Sequence, residues 1–250
     1  MLESAIELST EEAAIAALVM LLAAYVRGLT GFALSAVLVA GLSFFMNPVE
    51  VVALALLSEV AASVIQARSV WSDIRWKHLG VLLAAAIIGN PVGIWILTST
   101  DPDTLRAATF VVLAIVSVGL LFNHATPLPA SIPIFFAIGV AAGVINGATA
   151  LSGLVIVLGM SFMEISPTAM RSTLVAYFFA SNLAVVAFLA TRGDIDESTL
   201  WRLLLALPLL AVGIAFGSST FRSTQPEQFR RITLFLLIAI SAVGILRIAT

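Results

Sequence analysis

The chain has 250 residues, of which 61% are hydrophobic and only 10% are charged, and its formal net charge is −2. A water-soluble domain averages about 25% charged residues, so a soluble shell is excluded and lipid must face most of the surface. The weak negative charge, without any basic block, also excludes nucleic acid as a partner.

Ten apolar segments follow one another between charged and turn residues. They are 13–26, 31–46, 49–66, 79–97, 105–122, 132–145, 151–162, 169–190, 203–216 and 232–248. A full membrane crossing needs about 20 residues, so the first, second, sixth and seventh segments are short. These short segments abut in pairs at residues 27–30 and 146–149. The pattern predicts an all-α polytopic membrane protein.

The two halves of the sequence repeat. At one constant offset, Arg27 aligns with Asn146, Gly28 with Gly147, and the Pro after segment two with the Pro after segment seven. We therefore predict a first membrane repeat over 1–124 and a second over 125–250, within one membrane domain. Each has about five helical segments, the first two short and paired at a Gly-containing break. Interrupted segments at matching positions of duplicated halves indicate a transporter's binding site.

Orientation follows from the basic loops, which remain on the cytoplasmic side. The loops at 68–77 and 217–231 each carry three basic residues. The amino-terminal segment and the loops at 101–103 and 194–197 carry acidic residues. We predict inverted repeats with both termini outside, in the periplasm. The alternative is eight segments in parallel repeats, each abutting pair forming one long broken helix. Whether the short segments cross fully or re-enter stays open.

The order of these motifs resembles the TauE/SafE sulfite exporter family, also called the toluene sulfonate uptake permease family. The resemblance covers nearly the whole chain and is carried by RGLTGFALSAVLVAGL, Asn47-Pro48 and the DIRW loop, and again by GVAAGVINGATALSGLVIVL, Ser166-Pro167 and the Gly193-Asp194-Ile195 loop. It implies transport of small anions containing oxidised sulfur, such as sulfite or organosulfonates, and of related carboxylates.

The breaks are the predicted substrate site. A helix that begins at a break directs free N–H groups and its positive dipole end at that point, where an anion is stabilised. Hydroxyl donors and close backbone approach come from Gly28, Thr30, Gly31 and Ser35, and from Gly147, Thr149, Ser152 and Gly153. The alternative is that the glycines serve helix packing and the hydroxyls bond to carbonyls of their own helix.

Several polar residues in the apolar segments are further candidates. Arg27 either holds a sulfonate through paired hydrogen bonds or extends to a membrane interface. Its counterpart Asn146 is neutral. Glu59 lies in mid-segment, where a carboxylate is costly, and either carries a proton in coupling or pairs with Arg27. Gln66 lies on the same segment as Glu59, and Tyr177 and Asn182 lie on the corresponding segment of the second half. These three residues are candidates for coupling or for supporting the binding residues.

We therefore predict a secondary transporter or facilitator of the cell inner membrane that moves a small anion by alternating access. We expect no cofactor, because the chain has no cysteine, two histidines and no P-loop. The rivals are a non-transporting membrane anchor or scaffold subunit and an intramembrane enzyme. The exact substrate, import or export, the coupling ion and assembly into a homo-oligomer stay open.

Overall fold

The structure, a computed structural model, describes residues 6–122, 129–163, 165–221 and 226–249. Ten α-helices longer than two turns lie in these residues. They are α1 (Thr10–Thr30), α2 (Leu34–Leu42), α3 (Pro48–Val70), α4 (Trp76–Ser99), α5 (Pro102–Leu121), α6 (Ile132–Thr149), α7 (Ser152–Ser161), α8 (Pro167–Arg192), α9 (Glu197–Phe221) and α10 (Pro226–Ala249). Seven of them are long and apolar enough to cross a membrane. The predicted all-α polytopic membrane fold is confirmed.

The outer surface of the bundle is apolar. Large side chains along several helices are well exposed, among them Leu18 at 69%, Ile87 at 73% and Ile115 at 65%. In water such a surface would drive aggregation. The bundle is therefore built to face lipid, while its polar side chains turn inward.

Helix starts follow the local sequence. The side chains of Asn47, Asp101 and Ser166 each accept a hydrogen bond from the first turn of the helix that follows. In each case a proline comes next, at the first helical position, where its missing N–H is not needed. Two of these caps, Asn47 and Ser166, begin the third helix of each half, as the aligned prolines of the repeat lead one to expect.

The first break begins at Gly31, four residues after its predicted start at residue 27. α1 continues through Thr30 with 21 residues, so the prediction of a short first segment is wrong. The helical bond from Gly31 N to Arg27 O, at 2.8 Å, is still made. The chain then leaves the helix through left-handed residues Gly31 (φ 81°) and Ala33 (φ 70°). Only α2, with nine residues, is short.

The second break is displaced in the same way. α6 has 18 residues and runs through Thr149, and α7 has ten. The turn is made at Ala150, whose φ is 59°. No glycine lies between the two helices, so the predicted Gly-containing break is wrong for this half. Gly28 and Gly147 are instead ordinary helical residues.

Helices of one half pack mainly on helices of the other. α1 runs along α9 and α6 along α4, while α3 crosses α8 and α5 packs on α10. The pattern is unchanged when the two halves are exchanged. The inverted orientation of the repeats stays a prediction. The repeat boundary at residues 124 and 125 and the basic position 222 lie outside the described residues.

Glycines permit the two closest helix pairs. A Cβ atom at Gly28 would clash with the carbonyl oxygen of Ile214 on α9, and one at Gly147 with that of Asn90 on α4. Small residues allow helix backbones to approach closely inside a membrane. For Gly28 and Gly147 the structure therefore shows the packing role that was the alternative to substrate binding.

This packing gives a direct stability prediction. Gly147→Ala should destabilise the protein by about 1–3 kcal/mol, because two backbones must separate to admit the methyl group. Gly80→Ala is the matched control, since a Cβ atom there meets nothing within 4 Å. It should stabilise α4 by roughly 0.5–1 kcal/mol. Melting temperatures in detergent measure both, and equal melting temperatures would contradict the packing role.

Candidate functional site

Arg27 is the most constrained polar residue of the site. It lies in the last turn of α1 and is 0% exposed. Its Nε donates to Gln66 Oε1 at 3.1 Å and its Nη2 to Ser63 Oγ at 3.2 Å, both on α3. Its Nη1 donates to the Gly31 carbonyl oxygen at 2.7 Å. The guanidinium is thus fixed inside the bundle, and the alternative that Arg27 extends to an interface is wrong.

Glu59 forms a buried ion pair with this guanidinium. Arg27 Nη1 lies 3.4 Å from Glu59 Oε2, and the two side chains are 0% and 1% exposed. The other carboxylate oxygen, Oε1, accepts hydrogen bonds from the backbone N–H and the hydroxyl of Ser35, each at 3.2 Å. Oε2 accepts no hydrogen bond from any described residue, so its link to Arg27 is mainly Coulombic. Of the two predictions for Glu59, the structure shows the ion pair with Arg27.

Ser35 lies in the first turn of α2, directly after the break. The Glu59 carboxylate therefore occupies the positive end of the α2 dipole. A guanidinium, a helix N–H and a hydroxyl together are donors suited to an oxyanion. In the structure these donors converge on the Glu59 carboxylate, which is an anion of the protein itself.

The second half carries a neutral network at the matching place. Asn146 on α6 donates from Nδ2 to Asn182 Oδ1 on α8 at 3.0 Å. Its own Oδ1 accepts from the hydroxyl of Ser152, at the start of α7, at 2.7 Å. All three residues are at most 1% exposed. The break is again tied to the third helix of its half, but by amides and a hydroxyl.

Phe178 joins the two networks. Its ring centroid lies 4.5 Å from Arg27 Cζ, a cation–π contact. On another side the ring contacts Gly153, where a Cβ atom would approach Phe178 Cζ to 2.6 Å. Phe178 takes the repeat position of Glu59. A single phenylalanine in an apolar segment does not stand out as a site residue. Its alignment with Glu59 in the repeat is the feature of the sequence that could have identified it.

Arg171 is a second basic residue beside the first break. Its Nη2 donates to the Gly28 carbonyl oxygen at 3.0 Å, across 143 positions of sequence. Its side-chain carbons fill the space that a Cβ atom at Gly31 would need. Arg171 was not predicted as a site residue. It lies near the start of α8, where a charged residue is normally explained by the nearby loop and solvent.

The two predicted threonine donors point elsewhere. Thr30 Oγ1 donates to a carbonyl of its own chain, with Val26 O at 2.8 Å, and Thr149 Oγ1 donates to Ile145 O at 2.8 Å. This is the back-bonding that was the alternative interpretation. The structure thus corrects the prediction that these hydroxyls are directed at the ligand.

Replacing either threonine should therefore have little effect on anion recognition. Thr30→Val and Thr149→Val both keep the branched shape. Thr149→Val removes only a bond within its helix, while Thr30→Val also removes the bond that Oγ1 accepts from Phe32 N at 3.2 Å. The dissociation constant should change by less than about threefold, which is under 0.7 kcal/mol. Isothermal titration with a sulfonate measures it. A tenfold weakening would return the hydroxyls to the binding groups.

The remaining candidates divide between the networks. Gln66 belongs to the first and Asn182 to the second. Tyr177 is fully buried beside Phe178. One turn on, Ser181 Oγ accepts from Asn90 Nδ2 at 3.2 Å, next to the proline inside α4. Tyr177, Ser181 and Asn182 all lie along α8.

A cavity of about 180 Å³ lies elsewhere, between α1, α3 and α9. Apolar side chains such as Met20, Leu54 and Leu209 line it, with Arg202 at its edge. Neither Arg27 nor Glu59 is among its lining residues. At 0% and 1% exposure, the two side chains of the ion pair are closed off from solvent in this conformation.

A bundle of helices able to cross a membrane, arranged around a buried ion pair and a buried amide network, defines a polytopic membrane protein with a polar interior site. The family model described as "Sulfite exporter TauE/SafE" matches residues 16–243, so the chain belongs to this family. It is also similar to the "Probable inner membrane transporter protein TsaS" of Comamonas testosteroni, with 26% identity over 191 residues, which is 74% of this chain and 79% of the relative. No solved structure matches the chain. The predicted family is confirmed, and it makes the chain a transporter and not an enzyme.

Proposed function

We propose that the protein moves a small oxyanion across the inner membrane, with sulfite, organosulfonates and related carboxylates as the substrate class. The observation that carries this proposal is the set of donors at the first break. Arg27 and Ser35, both buried, present a guanidinium, an N–H and a hydroxyl to one carboxylate. The names of the family and of the relative from Comamonas testosteroni support the same class and the same membrane.

Arginine suits this substrate class. Its planar guanidinium presents parallel N–H groups to two oxygens of a sulfonate or carboxylate. Three contacts fix the orientation of Arg27 before any ligand arrives. A preorganised donor loses little conformational entropy on binding. The first-half groups Arg27 and Ser35 hold the anion, while Gly31 orients Arg27 through its carbonyl oxygen. Asn146, Ser152 and Gly153 offer neutral contacts in the second half.

The site must open for this function. Arg27 and Glu59 are at most 1% exposed, so no anion reaches them in the present conformation. The proposed movement shifts the helices of one half against the other, exposing the break first to one side of the membrane and then to the other. Phe178, between the charged and the neutral networks, must move with it.

Orientation has its own test. The chain has no cysteine, so single cysteines can be placed without further changes. Ser72 and Ser99 are both exposed. Ser72 lies four residues before the start of α4, and Ser99 is the last residue of α4. An impermeant thiol reagent should label Ser72→Cys from the cytoplasm and Ser99→Cys from outside. Labelling of both from one side would contradict the orientation.

Ligand-induced stabilisation tests the substrate class. A ligand at a hundred times its dissociation constant stabilises the folded state by about 2.7 kcal/mol. Sulfite, methanesulfonate, an arenesulfonate and acetate should therefore raise the melting temperature of the purified protein above that in sodium chloride of equal ionic strength. If none of these anions does so, the proposed function is wrong.

A further inference from the structure

We propose that the Glu59 carboxylate is an internal competitor for the substrate site, and that an anion replaces it only when Glu59 takes up a proton. The transporter would then carry one proton with each monovalent anion, in the same direction. This inference rests on the proposed function, whose site it shares.

The geometry shows the carboxylate in the place of a ligand. Glu59 Oε1 accepts both donors of Ser35, and Oε2 faces Arg27 Nη1 at 3.4 Å. These are the donors that an oxyanion substrate would need. Two anions cannot share them without strong repulsion in a medium of low dielectric constant. Substrate binding therefore requires that the carboxylate withdraw or lose its charge.

Withdrawal as a carboxylate is too costly in this environment. Glu59 is 1% exposed and lies in the middle of α3, and Arg27 is its sole ion-pair partner among the described residues. A buried carboxylate without a partner is strongly destabilised. A proton on Glu59 removes the charge, and the carboxylic acid can still accept a hydrogen bond from Ser35 through its carbonyl oxygen.

Among the described residues, the ionisable groups near Glu59 do not gain or lose a proton when the anion binds. Beside the Arg27–Glu59 pair, Arg171 on α8 bonds to the last turn of α1, and Tyr177 on α8 contacts Phe178, whose ring lies against Arg27. Both arginines stay cationic throughout, and the tyrosine stays neutral. α2 contains no ionisable residue. On the other helices packed around α3, Arg202 pairs with Glu50, Arg106 with Asp103 and Arg192 with Asp194, while His78 stacks on Phe135.

The charge of the site is then the same in both states. In the empty state Arg27 pairs with the Glu59 carboxylate. In the loaded state an O–H bond forms on Glu59 with a proton from the bulk, and Arg27 pairs with the bound anion. On the far side the proton and the anion leave to the bulk and the ion pair re-forms. Each cycle moves one proton and one monovalent anion together, without net charge.

Methanesulfonate in proteoliposomes tests this, because it stays ionised at all working pH values and brings no proton of its own. Uptake of labelled methanesulfonate should acidify the lumen, read by a trapped pH dye, by about one proton per anion. An imposed membrane potential should leave the rate unchanged. At equilibrium, each unit of lower pH should raise the affinity by up to about tenfold, the limit for one proton taken up with each anion.

Two Glu→Gln variants separate coupling from general effects. Glu59→Gln keeps an acceptor for Ser35 and removes the proton, so uptake should continue without acidification and should now follow the membrane potential. Glu197→Gln makes the same change at an exposed residue of α9 and should behave as the parent. If Glu59→Gln does not fold, the proton count of the parent decides by itself.

Each outcome has a distinct meaning. Methanesulfonate uptake by the parent without acidification, or acidification by Glu59→Gln equal to the parent's, would overturn the inference while leaving the transport function intact. Absence of uptake and of binding by the parent would overturn the proposed function, and the inference with it. Acidification in the parent, lost in Glu59→Gln but not in Glu197→Gln, is the result we expect.

Discussion

Arg27→Met should lower the free energy of unfolding by about 3–5 kcal/mol, because it leaves the Glu59 carboxylate buried without its cation. For a chain of this size, that corresponds to a fall in melting temperature of roughly 6–20 °C. Both side chains are at most 1% exposed, so water cannot replace the lost partner. Thermal unfolding in detergent measures the change. Arg68→Met, at an exposed position of α3, is the matched control and should have little effect.

The double variant Arg27→Met, Glu59→Gln should recover most of this loss. It removes both charges, and replacement of a whole buried ion pair is often close to neutral. The glutamine oxygen can still accept from Ser35. If the double variant is as unstable as Arg27→Met alone, the cost came from lost packing of the long arginine chain, and the electrostatic explanation is wrong.

Phe178→Ala should be the second large effect. The ring is 1% exposed and fills the space between Arg27 and Gly153. Deleting a buried aromatic side chain leaves a cavity and costs about 3–5 kcal/mol. Phe179→Ala, one residue along on a side chain that is 41% exposed, is the control and should cost far less.

Phe178→Leu divides this cost into its parts. Leucine fills most of the volume but has no π-face, so the remaining loss should be close to the cation–π contribution of about 0.5–2 kcal/mol. A Phe178→Leu variant as unstable as Phe178→Ala would mean that ring shape, rather than contact with Arg27, sets the requirement. Melting temperatures of the three variants, measured side by side, decide this.

Much of the fold could be predicted, because membrane segments obey simple constraints. Apolar length and turn residues located all ten helices, since lipid requires each to satisfy its own backbone. The exact breaks could not be predicted from the glycines. Gly28 and Gly147 looked like interruptions in the sequence, yet each serves close contact with a helix far along the chain. Composition alone does not distinguish a glycine that packs from one that turns.

Most polar members of the site were predictable, with Arg171 the exception. Arg27 and Glu59 are conspicuous in apolar segments, because charges there demand a partner. The directions of the Thr30 and Thr149 hydroxyls depend on local backbone geometry, which favours their own helix carbonyls. Phe178 carries no signal of its own, since its role arises from a contact between the two halves. Such tertiary contacts are what sequence patterns leave undetermined.

The central claim is that Arg27 binds the transported anion, and one flux measurement tests it most directly. Proteoliposomes containing the parent should take up labelled methanesulfonate with saturation. The folded double variant Arg27→Met, Glu59→Gln should take up no more than protein-free liposomes, because the cation at the break is gone while the fold remains. Saturable uptake by the double variant at the parent's rate would contradict the claim and place the anion site elsewhere.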